Sequence, residues 1–396
     1  MTVNFVRQDA ALSAAVAFLF SLGVQSQAQA LPESQTPEDS SNQRLTASRT
    51  PVSGGLVDPS DHFIGANVTL PGKAALISWV DTGVHPWAAI LCIHGLGFHK
   101  ETYSALAKRL SRLGIAMYAI DVRGFGVYKE RNPHARVDFE RSFVDIKEAL
   151  TTIKQNNQQI PVFLLGESMG GAMALQAAAR YPELVNGAAS SVPAFNTVRN
   201  LPLSMKVMMI GALRGPNGQV SIAGDVVGRS THKEHLKQEM LDDPATRHHM
   251  SVRDLLAYRK LMGQNNKAIK KLSGTPIFLV QGYKDKLVGP RSTTNLFNHI
   301  ATADKDMFLV GKSDHLVFEE GQFSDETVDT LVSWLSKHSD GGAPFALLPS
   351  QLSKMNTPVQ AYVGSTPVGS AAAAKPSQTT SEVLDKGGRN QDSKDQ

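Results

Sequence analysis

The 396-residue sequence is poor in cysteine and has no block of basic residues. Its single cysteine, Cys92, excludes an intramolecular disulfide and any zinc or iron–sulfur site built from several cysteines. The lysines and arginines are scattered, which disfavours binding to nucleic acid. An apolar run from Ala10 to Val24 is shorter than the roughly 20 residues that cross a bilayer as a helix. With 41% hydrophobic and 19% charged residues, the composition is typical of a folded globular protein.

The N-terminal segment has the order of features found in secretory signal peptides. Arg7 precedes the apolar run, and the small-x-small triplet Ala28-Gln29-Ala30 follows it. This order predicts a signal peptide over residues 1–30, cleaved after Ala30, and hence a secreted or periplasmic protein. An uncleaved N-terminal anchor and a disordered apolar terminus are the alternatives, because Asp9 weakens the positive region.

Two polar segments flank the central part of the chain. Residues 31–60 and 340–396 are rich in small and polar residues and hold few large apolar ones. Such segments bury too little surface to offset the entropy lost on ordering. We therefore predict a disordered linker over 31–60 and a disordered tail over 340–396.

Between these ends, short apolar or β-branched runs alternate with longer amphipathic segments. The alternation predicts an α/β fold with a doubly wound, mostly parallel sheet that helices cover on both faces. The predicted strands are Ala74–Val80, Ala88–Ile93, Ala116–Asp121, Val162–Leu165, Gly187–Ser190, Ile277–Gln281 and Met307–Val310. The predicted helices include Glu101–Leu113, Phe143–Ile153, Met169–Arg180, Ser292–Ile300 and Glu326–Lys337.

The alternation stops between residues 193 and 268, where helical patterns continue and no strand is predicted. We interpret residues 193–268 as a helical lid inserted into the sheet domain. The core then consists of residues 61–192 and residues 269–339.

The predicted lid has two informative stretches. Ser251, with Asp254 three residues later, is typical of the start of a helix. A methionine-rich apolar stretch that includes Met205, Met208 and Met209 would either form the wall of an acyl-chain site or simply pack the lid onto the core.

A serine motif follows one of the predicted strands directly. The sequence Gly166-Glu167-Ser168-Met169-Gly170-Gly171 joins the strand Val162–Leu165 to a helix of small residues. Gly-x-Ser-x-Gly between a strand and a helix is typical of a nucleophile elbow, in which a sharp turn strains the serine backbone. Glycines on both sides let neighbouring backbone pass closely. Ser168 is therefore the predicted nucleophile, and the alternative is an ordinary turn with Ser168 as a helix cap.

A serine nucleophile needs a histidine to accept its proton and an acid to orient that histidine. In this kind of fold both partners come after later strands, the acid first. Asp285 and His315 each follow a predicted strand in that order, so they complete the candidate triad with Ser168. His299 and His338 are disfavoured because they fall within or at the end of predicted helices.

Acyl transfer also needs N–H donors for the oxyanion of the tetrahedral intermediate. The backbone N–H of Met169, directly after the nucleophile, is one predicted donor. The second is the N–H of Leu96, in the loop His94-Gly95-Leu96-Gly97-Phe98-His99 after a strand. Glycines in this loop let the backbone approach a substrate.

Several histidines raise the question of a metal site. We interpret His94 and His99 as structural residues of their loop, because their spacing alone is weak evidence for a metal. Histidines in the predicted lid have no carboxylates at matching positions and are interpreted as surface residues; they are His232, His235, His248 and His249. No metal is expected.

Together these motifs resemble those of the α/β-hydrolase superfamily, in the branch of monoacylglycerol lipases, lysophospholipases and serine aminopeptidase-like (S33) hydrolases. The matching pieces are the loop His94-Gly95-Leu96-Gly97-Phe98-His99, the segment Asp121-Val122-Arg123-Gly124-Phe125-Gly126, the serine motif, Asp285 and His315. The resemblance covers about residues 60–338. It implies that Ser168 is the nucleophile, His315 the base, Asp285 its orienting acid, and Leu96 and Met169 the oxyanion-hole residues, and that no cofactor is needed.

The chain departs from the family pattern in two places. Glu167 stands in the elbow where many relatives have histidine, and Val127 follows Gly126 where a serine is common. Neither residue is expected to touch the chemistry directly, so the departures bear on the substrate rather than on the reaction.

We expect a serine hydrolase that cleaves lipid-like or other hydrophobic carboxylic esters, of the monoacylglycerol or lysophospholipid type, through an acyl-enzyme on Ser168. The expected partner is a small hydrophobic ester, and transient contact with a membrane or lipid surface is compatible with this interpretation. One alternative is an S33-type peptidase or amidase, which would hold a substrate ammonium on an acidic lid residue. The candidates for that role are Glu234, Glu239, Asp242 and Asp243. The other alternative is a non-catalytic binding protein of the same fold.

Overall fold

The computed structural model describes residues 65–80, 85–195 and 201–339, and an eight-stranded sheet lies at the centre of this part of the chain. The strands in chain order are β1 (Ala66–Val68), β2 (Leu76–Trp79), β3 (Ala88–Ile93), β4 (Ile115–Ile120), β5 (Val162–Glu167), β6 (Gly187–Ser191), β7 (Gln219–Ser221), β8 (His249–Ser251), β9 (Ile277–Gly282) and β10 (Lys305–Val310). The sheet has the order β1-β2-β4-β3-β5-β6-β9-β10, and β7 pairs with β8 in a separate ribbon. In the sheet, β2 is antiparallel to β1 and β4, and the other neighbours are parallel. The predicted mostly parallel sheet is confirmed.

Helices cover both faces of this sheet. They are α1 (Ser104–Ser111), α2 (Val127–Arg131), α3 (Phe139–Asn156), α4 (Met169–Arg180), α5 (Leu201–Arg214), α6 (Ala223–Ser230), α7 (Glu234–Asp242), α8 (Val252–Ile269), α9 (Pro290–His299) and α10 (Asp325–Lys337). The apolar sides of α1 and α10 belong to one buried cluster, whereas those of α3, α4 and α9 belong to another. The sheet is therefore doubly wound, as expected.

Strand β3 shows why the central strands are apolar along their whole length. Its side chains alternate between the two faces, with Leu91 and Ile93 in one buried cluster and Ile90 and Cys92 in the other. Because both faces are covered, period-two alternation of apolar and polar residues is absent from this strand. Cys92 is buried as predicted, and burial raises the pKa of its thiol well above the usual range.

Several predicted boundaries were wrong. The first strand of the sheet, β1, was missed because three residues are too few to show a periodic pattern. The predicted helix Glu101–Leu113 begins as a 3-10 turn over Lys100–Tyr103 and continues as α1. Helix α3 begins earlier than predicted, because the carboxylate of Asp138 caps it by accepting a hydrogen bond from the Arg141 N–H at 2.9 Å.

The segment between β6 and β9, called the insertion below, carries helices α5 to α8. The helix start predicted at Ser251 is confirmed, since the Ser251 hydroxyl accepts a hydrogen bond from the Asp254 N–H at the start of α8. The expectation of helices alone was wrong: β7 and β8 form an antiparallel ribbon in which Val220 pairs with Met250. Each of these strands is three residues long, which is too short to show a periodic sequence pattern. The division of the chain into core and lid stays a prediction.

The predicted signal peptide (1–30), linker (31–60) and tail (340–396) lie outside the described residues. Of the helices that the structure does describe, none combines the length and apolar character required to cross a membrane.

Candidate active site

The serine motif forms a sharp turn between β5 and α4. Ser168 has a φ of 56° and a ψ of −111°, a backbone conformation that costs a non-glycine residue energy. A Cβ at Gly166 would overlap the backbone of Gly170, and a Cβ at Gly170 would overlap the carbonyl oxygen of Ile93 at the end of β3. The two glycines are therefore required by close backbone approach, and the turn leaves Ser168 half-buried at the start of α4.

Backbone hydrogen bonds hold Ser168 in this conformation. Its N–H donates to the carbonyl oxygen of Ser191 at the end of β6, at 2.9 Å. Its carbonyl oxygen accepts from the N–H of Ala194 at 3.0 Å and from the N–H of Ala172 at 3.1 Å. The strained turn is thus fixed from the neighbouring strand and from its own helix.

Asp285 and His315 meet at the carboxyl ends of β9 and β10. The carboxylate Oδ2 of Asp285 lies 2.8 Å from Nδ1 of His315, and both side chains are buried. The other oxygen of Asp285 accepts hydrogen bonds from the N–H groups of Leu287 at 2.7 Å and Val288 at 2.9 Å. With Nδ1 donating to the carboxylate, Nε2 of His315 is left as the proton acceptor, which is the tautomer that a general base needs.

The three predicted triad residues follow the carboxyl ends of the parallel strands β5, β9 and β10, with β6 between β5 and β9. No hydrogen bond between the described side chains joins Ser168 to His315. The disfavoured histidines are placed elsewhere: Nδ1 of His299 contacts the carbonyl oxygen of Asn295, and His338 contacts Asp304. Catalytic hydrogen bonds are often loose before substrate binds. The arrangement places a strained serine turn and a buried Asp–His pair on the same side of the sheet, which is the geometry that serine nucleophilic catalysis requires.

The predicted oxyanion loop packs against the nucleophile elbow. A Cβ at Gly170 would also lie 2.7 Å from the carbonyl oxygen of His94, so the loop after β3 lies against the first turn of α4. Leu96 in this loop is half-buried, and Met169 at the first position of α4 is buried. The two predicted N–H donors, Leu96 and Met169, therefore lie on elements in direct contact.

His94 braces this loop. Its Nε2 accepts a hydrogen bond from the N–H of Val122 at 3.0 Å, and its Nδ1 lies 2.8 Å from the carbonyl oxygen of Gly95. Burial lowers the pKa of His94 to about 4, so the ring is neutral at physiological pH. Both ring nitrogens are occupied by backbone groups, which fits a structural role.

His99 joins the same loop to the insertion. Its Nε2 lies 2.6 Å from the carboxylate of Asp243, which directly follows α7. Burial alone would lower the pKa of His99, but the hydrogen bond and the charge of Asp243 raise it above its ordinary value. Among the described residues, no group of three or more histidine, cysteine or acidic side chains is placed to hold a metal ion.

Two buried acids that the sequence analysis did not select lie next to the triad. The carboxylate of Glu167 accepts hydrogen bonds from the N–H groups of Val317 at 3.0 Å and Phe318 at 2.8 Å, just after His315. The carboxyl of Glu319 lies 3.0 Å from the N–H of Gly95 in the oxyanion loop. A charged residue within an otherwise apolar strand, as at position 167, was the available signal.

Comparison with known proteins identifies the family. The family model described as "Serine aminopeptidase, S33" matches residues 84–322, more than half of the chain. The chain belongs to this family.

Within the family, similar relatives include the monoglyceride lipase of Rattus norvegicus, which is 24% identical over 261 residues, 65% of this chain and 85% of the relative. The monoacylglycerol lipase of Mycolicibacterium smegmatis is 25% identical over 259 residues, 64% of this chain and 89% of the relative. This S33-family chain is an ester hydrolase of the α/β-hydrolase fold, in the branch that resembles monoglyceride lipases.

Solved structures show the same fold. A soluble variant of monoglyceride lipase from Saccharomyces cerevisiae, in complex with a substrate analog, has a TM-score of 0.57 and 21% identity, and the match covers 70% of this chain and 96% of that one. A carboxyl esterase from Bacillus coagulans in complex with glycerol has a TM-score of 0.55 and 15% identity, with 69% and 98% covered. At these identities the likeness supports the fold alone.

Proposed function

We propose that this ester hydrolase cleaves lipid-like carboxylic esters of the monoacylglycerol or lysophospholipid type, through an acyl-enzyme on Ser168. The observation that carries the mechanism is the Asp285–His315 pair, buried and 2.8 Å apart, at the same sheet edge as the strained serine turn. Strain, base and orienting acid together are what a serine nucleophile requires.

In the proposed reaction, His315 Nε2 takes the proton of the Ser168 hydroxyl as its oxygen attacks the ester carbonyl. The N–H groups of Leu96 and Met169 stabilise the resulting oxyanion. His315 then protonates the departing alcohol, which leaves an acyl-enzyme. A water molecule activated by His315 attacks the acyl-enzyme and releases the acid and the free Ser168.

Two observations support a lipid-like substrate. The relatives named above are monoglyceride and monoacylglycerol lipases. In addition, α5 of the insertion exposes a row of large apolar side chains, namely Met205, Met208, Met209 and Leu213. Methionine adapts to irregular apolar partners, so this face suits an acyl chain or a lipid surface better than water.

The family description also favours a second candidate, hydrolysis of amides or short peptides. Such an enzyme would need an acidic residue to bind a substrate ammonium. Three of the four candidates already have polar partners: Glu234 contacts Lys237, Asp242 contacts Gln238, and Asp243 contacts His99. The ester is preferred because the relatives named above are monoglyceride and monoacylglycerol lipases.

The full chain, with Ser168→Ala as the control, tests the function on p-nitrophenyl esters from acetyl to palmitoyl and on an alanine p-nitroanilide. We expect turnover of medium or long esters that the substitution abolishes. Turnover of the anilide alone would identify a peptidase. Silence on every substrate, together with no labelling of Ser168 by a fluorophosphonate, would support a non-catalytic binding protein.

Secretion is a separate proposal that rests on the N-terminal sequence. The order of Arg7, the apolar run and Ala28-Gln29-Ala30 supports cleavage after Ala30 and a secreted or periplasmic location. Mass spectrometry of the protein recovered from cells and medium tests it. A mature N-terminus at Leu31 is the expected result, and an intact Met1 on membrane-bound protein would instead indicate an uncleaved anchor.

A further inference from the structure

Glu167 and Glu319 connect the nucleophile elbow, the loop that carries His315 and the predicted oxyanion loop. Glu167 directly precedes the nucleophile and accepts hydrogen bonds from the backbone after His315, including one from the N–H of Glu319 at 3.5 Å. Glu319 in turn reaches the N–H of Gly95, the neighbour of the predicted oxyanion donor Leu96. The chain of contacts therefore runs from the elbow through residues 311–319 after β10, called the histidine loop, to the oxyanion loop.

Both acids are fully buried. A buried carboxylate is stable only when hydrogen bonds or a cation compensate its charge. Glu167 has this compensation, because its two oxygens accept from the N–H groups of Val317 and Phe318. Two adjacent buried negative charges would repel each other, so one of the two acids is expected to carry a proton.

The contacts of Thr102 allow Glu319 to hold that proton. Its hydroxyl oxygen lies 2.8 Å from the carbonyl oxygen of His99 and 2.9 Å from Oε1 of Glu319. A hydroxyl has one hydrogen, and a carbonyl oxygen can only accept. If Thr102 donates to His99, the second contact is satisfied when a protonated Oε1 of Glu319 donates to the Thr102 oxygen. Oε2, which lies 3.3 Å from the N–H of Gly95, is then the oxygen that accepts from that N–H.

Electrostatics point the same way. Burial raises the pKa of Glu319 well above its ordinary value, and the charge of Glu167 raises it further. Burial also raises the pKa of Glu167, but its backbone hydrogen bonds and the nearby His315 oppose that shift. The proton therefore belongs on Glu319, and Glu167 is the ionised partner.

We propose that Glu319 is a positioning residue that works as a neutral acid: it holds the oxyanion loop at Gly95, while the ionised Glu167 holds the histidine loop beside the nucleophile. Ionisation of Glu319 would place two like charges in one buried site and push these loops apart. The inference rests on the proposed ester hydrolysis and adds a residue that acts through Gly95 and Leu96.

Other titratable groups face Glu319 and enter the test. Cys92 and Tyr103 lie close, and burial raises the pKa of each well above its usual range, so both stay neutral. Glu320 could itself produce a pH dependence in this range, because burial raises its pKa to about 7. The charge of His99 opposes this shift, and the charges of Asp243 and Glu239 add to it. Glu320→Gln therefore serves as the matched control for pH dependence.

The experiment compares the full-length wild type with Glu319→Gln, Glu319→Leu and Glu320→Gln on the best p-nitrophenyl ester, between pH 6 and pH 10. Glutamine stays neutral, and its amide can both donate to Thr102 and accept from Gly95. We expect the activity of the wild type to fall at alkaline pH, as Glu319 ionises. We expect Glu319→Gln to keep kcat within about threefold and to show no such alkaline fall. We expect Glu319→Leu to lower kcat by about 10-fold to 100-fold with little change in KM, near the effect of removing an oxyanion donor.

The proposal is overturned if Glu319→Gln is as inactive as the leucine variant, or if Glu319→Leu matches the wild type. It is also overturned if Glu320→Gln, rather than Glu319→Gln, removes the alkaline fall. A failure of the proposed function looks different, because then the wild type is silent or Ser168→Ala still turns over ester.

The melting temperature gives a readout that needs no activity. A carboxyl whose pKa is raised by folding binds more protons in the folded state, so its contribution to stability is lost as pH rises. The melting temperature of the wild type should therefore fall relative to that of Glu319→Gln as pH rises above about 4.3, the ordinary pKa of glutamate. Parallel curves for the two proteins would show that Glu319 is ionised in the fold and would overturn the proposal.

Discussion

The backbone N–H of His315 donates a hydrogen bond to the carbonyl oxygen of Ser230, 3.1 Å away. Ser230 is the last residue of α6 in the insertion, so the predicted catalytic base is held by a segment outside the sheet. A second link lies beside it, where Asp314 accepts hydrogen bonds from the N–H of His232 and from its ring. The position of the insertion and the position of the base are thus physically coupled.

Asp314→Ala should reduce this coupling without touching the triad. We expect kcat to fall by up to about tenfold, since a 1 Å misplacement of a catalytic group can cost about 100-fold. The control is Asp304→Ala, which removes a carboxylate that contacts Lys337 and His338 away from the site. Steady-state kinetics on one ester measure both, and equal effects from the two substitutions would argue against the coupling.

Asp285→Asn should leave the fold intact and disable the base. The amide oxygen of asparagine would take the place of Oδ1, which accepts from the N–H groups of Leu287 and Val288, so the amide NH₂ group would face Nδ1 of His315 and donate to it. His315 would then carry its proton on Nε2, the wrong tautomer for a base, and kcat should fall by about 10⁴-fold with little change in KM. The rate of fluorophosphonate labelling at Ser168 should fall in parallel. Asp306→Asn, which removes a surface contact with Lys337, is the matched control and should behave as the wild type.

Gly170→Ala should prevent correct folding of the elbow. The added methyl group would overlap the carbonyl oxygen of Ile93, and β3 is a central strand that cannot move aside. Gly263→Ala in α8 is the matched control, because nothing lies within 4 Å of a Cβ there. We expect Gly263→Ala to stabilise the protein by about 0.5–1 kcal/mol, and Gly170→Ala to show a much lower melting temperature or no soluble protein. Similar melting temperatures for both would contradict the packing argument.

The buried ring of His94 should make the protein less stable in acid. Its pKa falls from 6.5 to about 4 on burial, so the unfolded chain binds a proton between these values that the folded protein does not. Stability is therefore lost as pH falls from about 6.5 to about 4, by about 3 kcal/mol from this residue. Urea unfolding of the wild type and of His94→Gln at pH 7 and pH 4.5 measures it, and the variant should show the smaller loss between the two pH values.

The parts of this molecule that follow from local rules could be predicted from the sequence. The glycines at 166 and 170 around Ser168 predicted a strained turn, because only glycine tolerates the close contacts there. The continuous apolar run Ala88–Ile93 predicted β3, which is buried along its whole length. The contact between Glu319 and Gly95 joins residues that are 224 positions apart, and no sequence pattern indicates such a pair. The ribbon of β7 and β8 was missed for a different reason, since strands of three residues are too short to show a periodic pattern of apolar residues.

The contacts of Glu167 correct the interpretation of one departure from the family. Glu167 was expected not to touch the chemistry directly and to bear on the substrate alone. In the structure its carboxylate receives the N–H groups of Val317 and Phe318, so it bears on the placement of His315. Histidine at this position in relatives would have to fix that loop by other hydrogen bonds.

The turn at Ser168 implies a conflict between durability and reactivity. A φ of 56° in a residue with a Cβ costs on the order of 1–3 kcal/mol, which glycine would largely recover. A chain released from selection for activity would therefore gain stability by drifting to glycine at this position. Alanine keeps the Cβ and the strain, so Ser168→Ala separates loss of the hydroxyl from relief of the backbone, and Ser168→Gly does not.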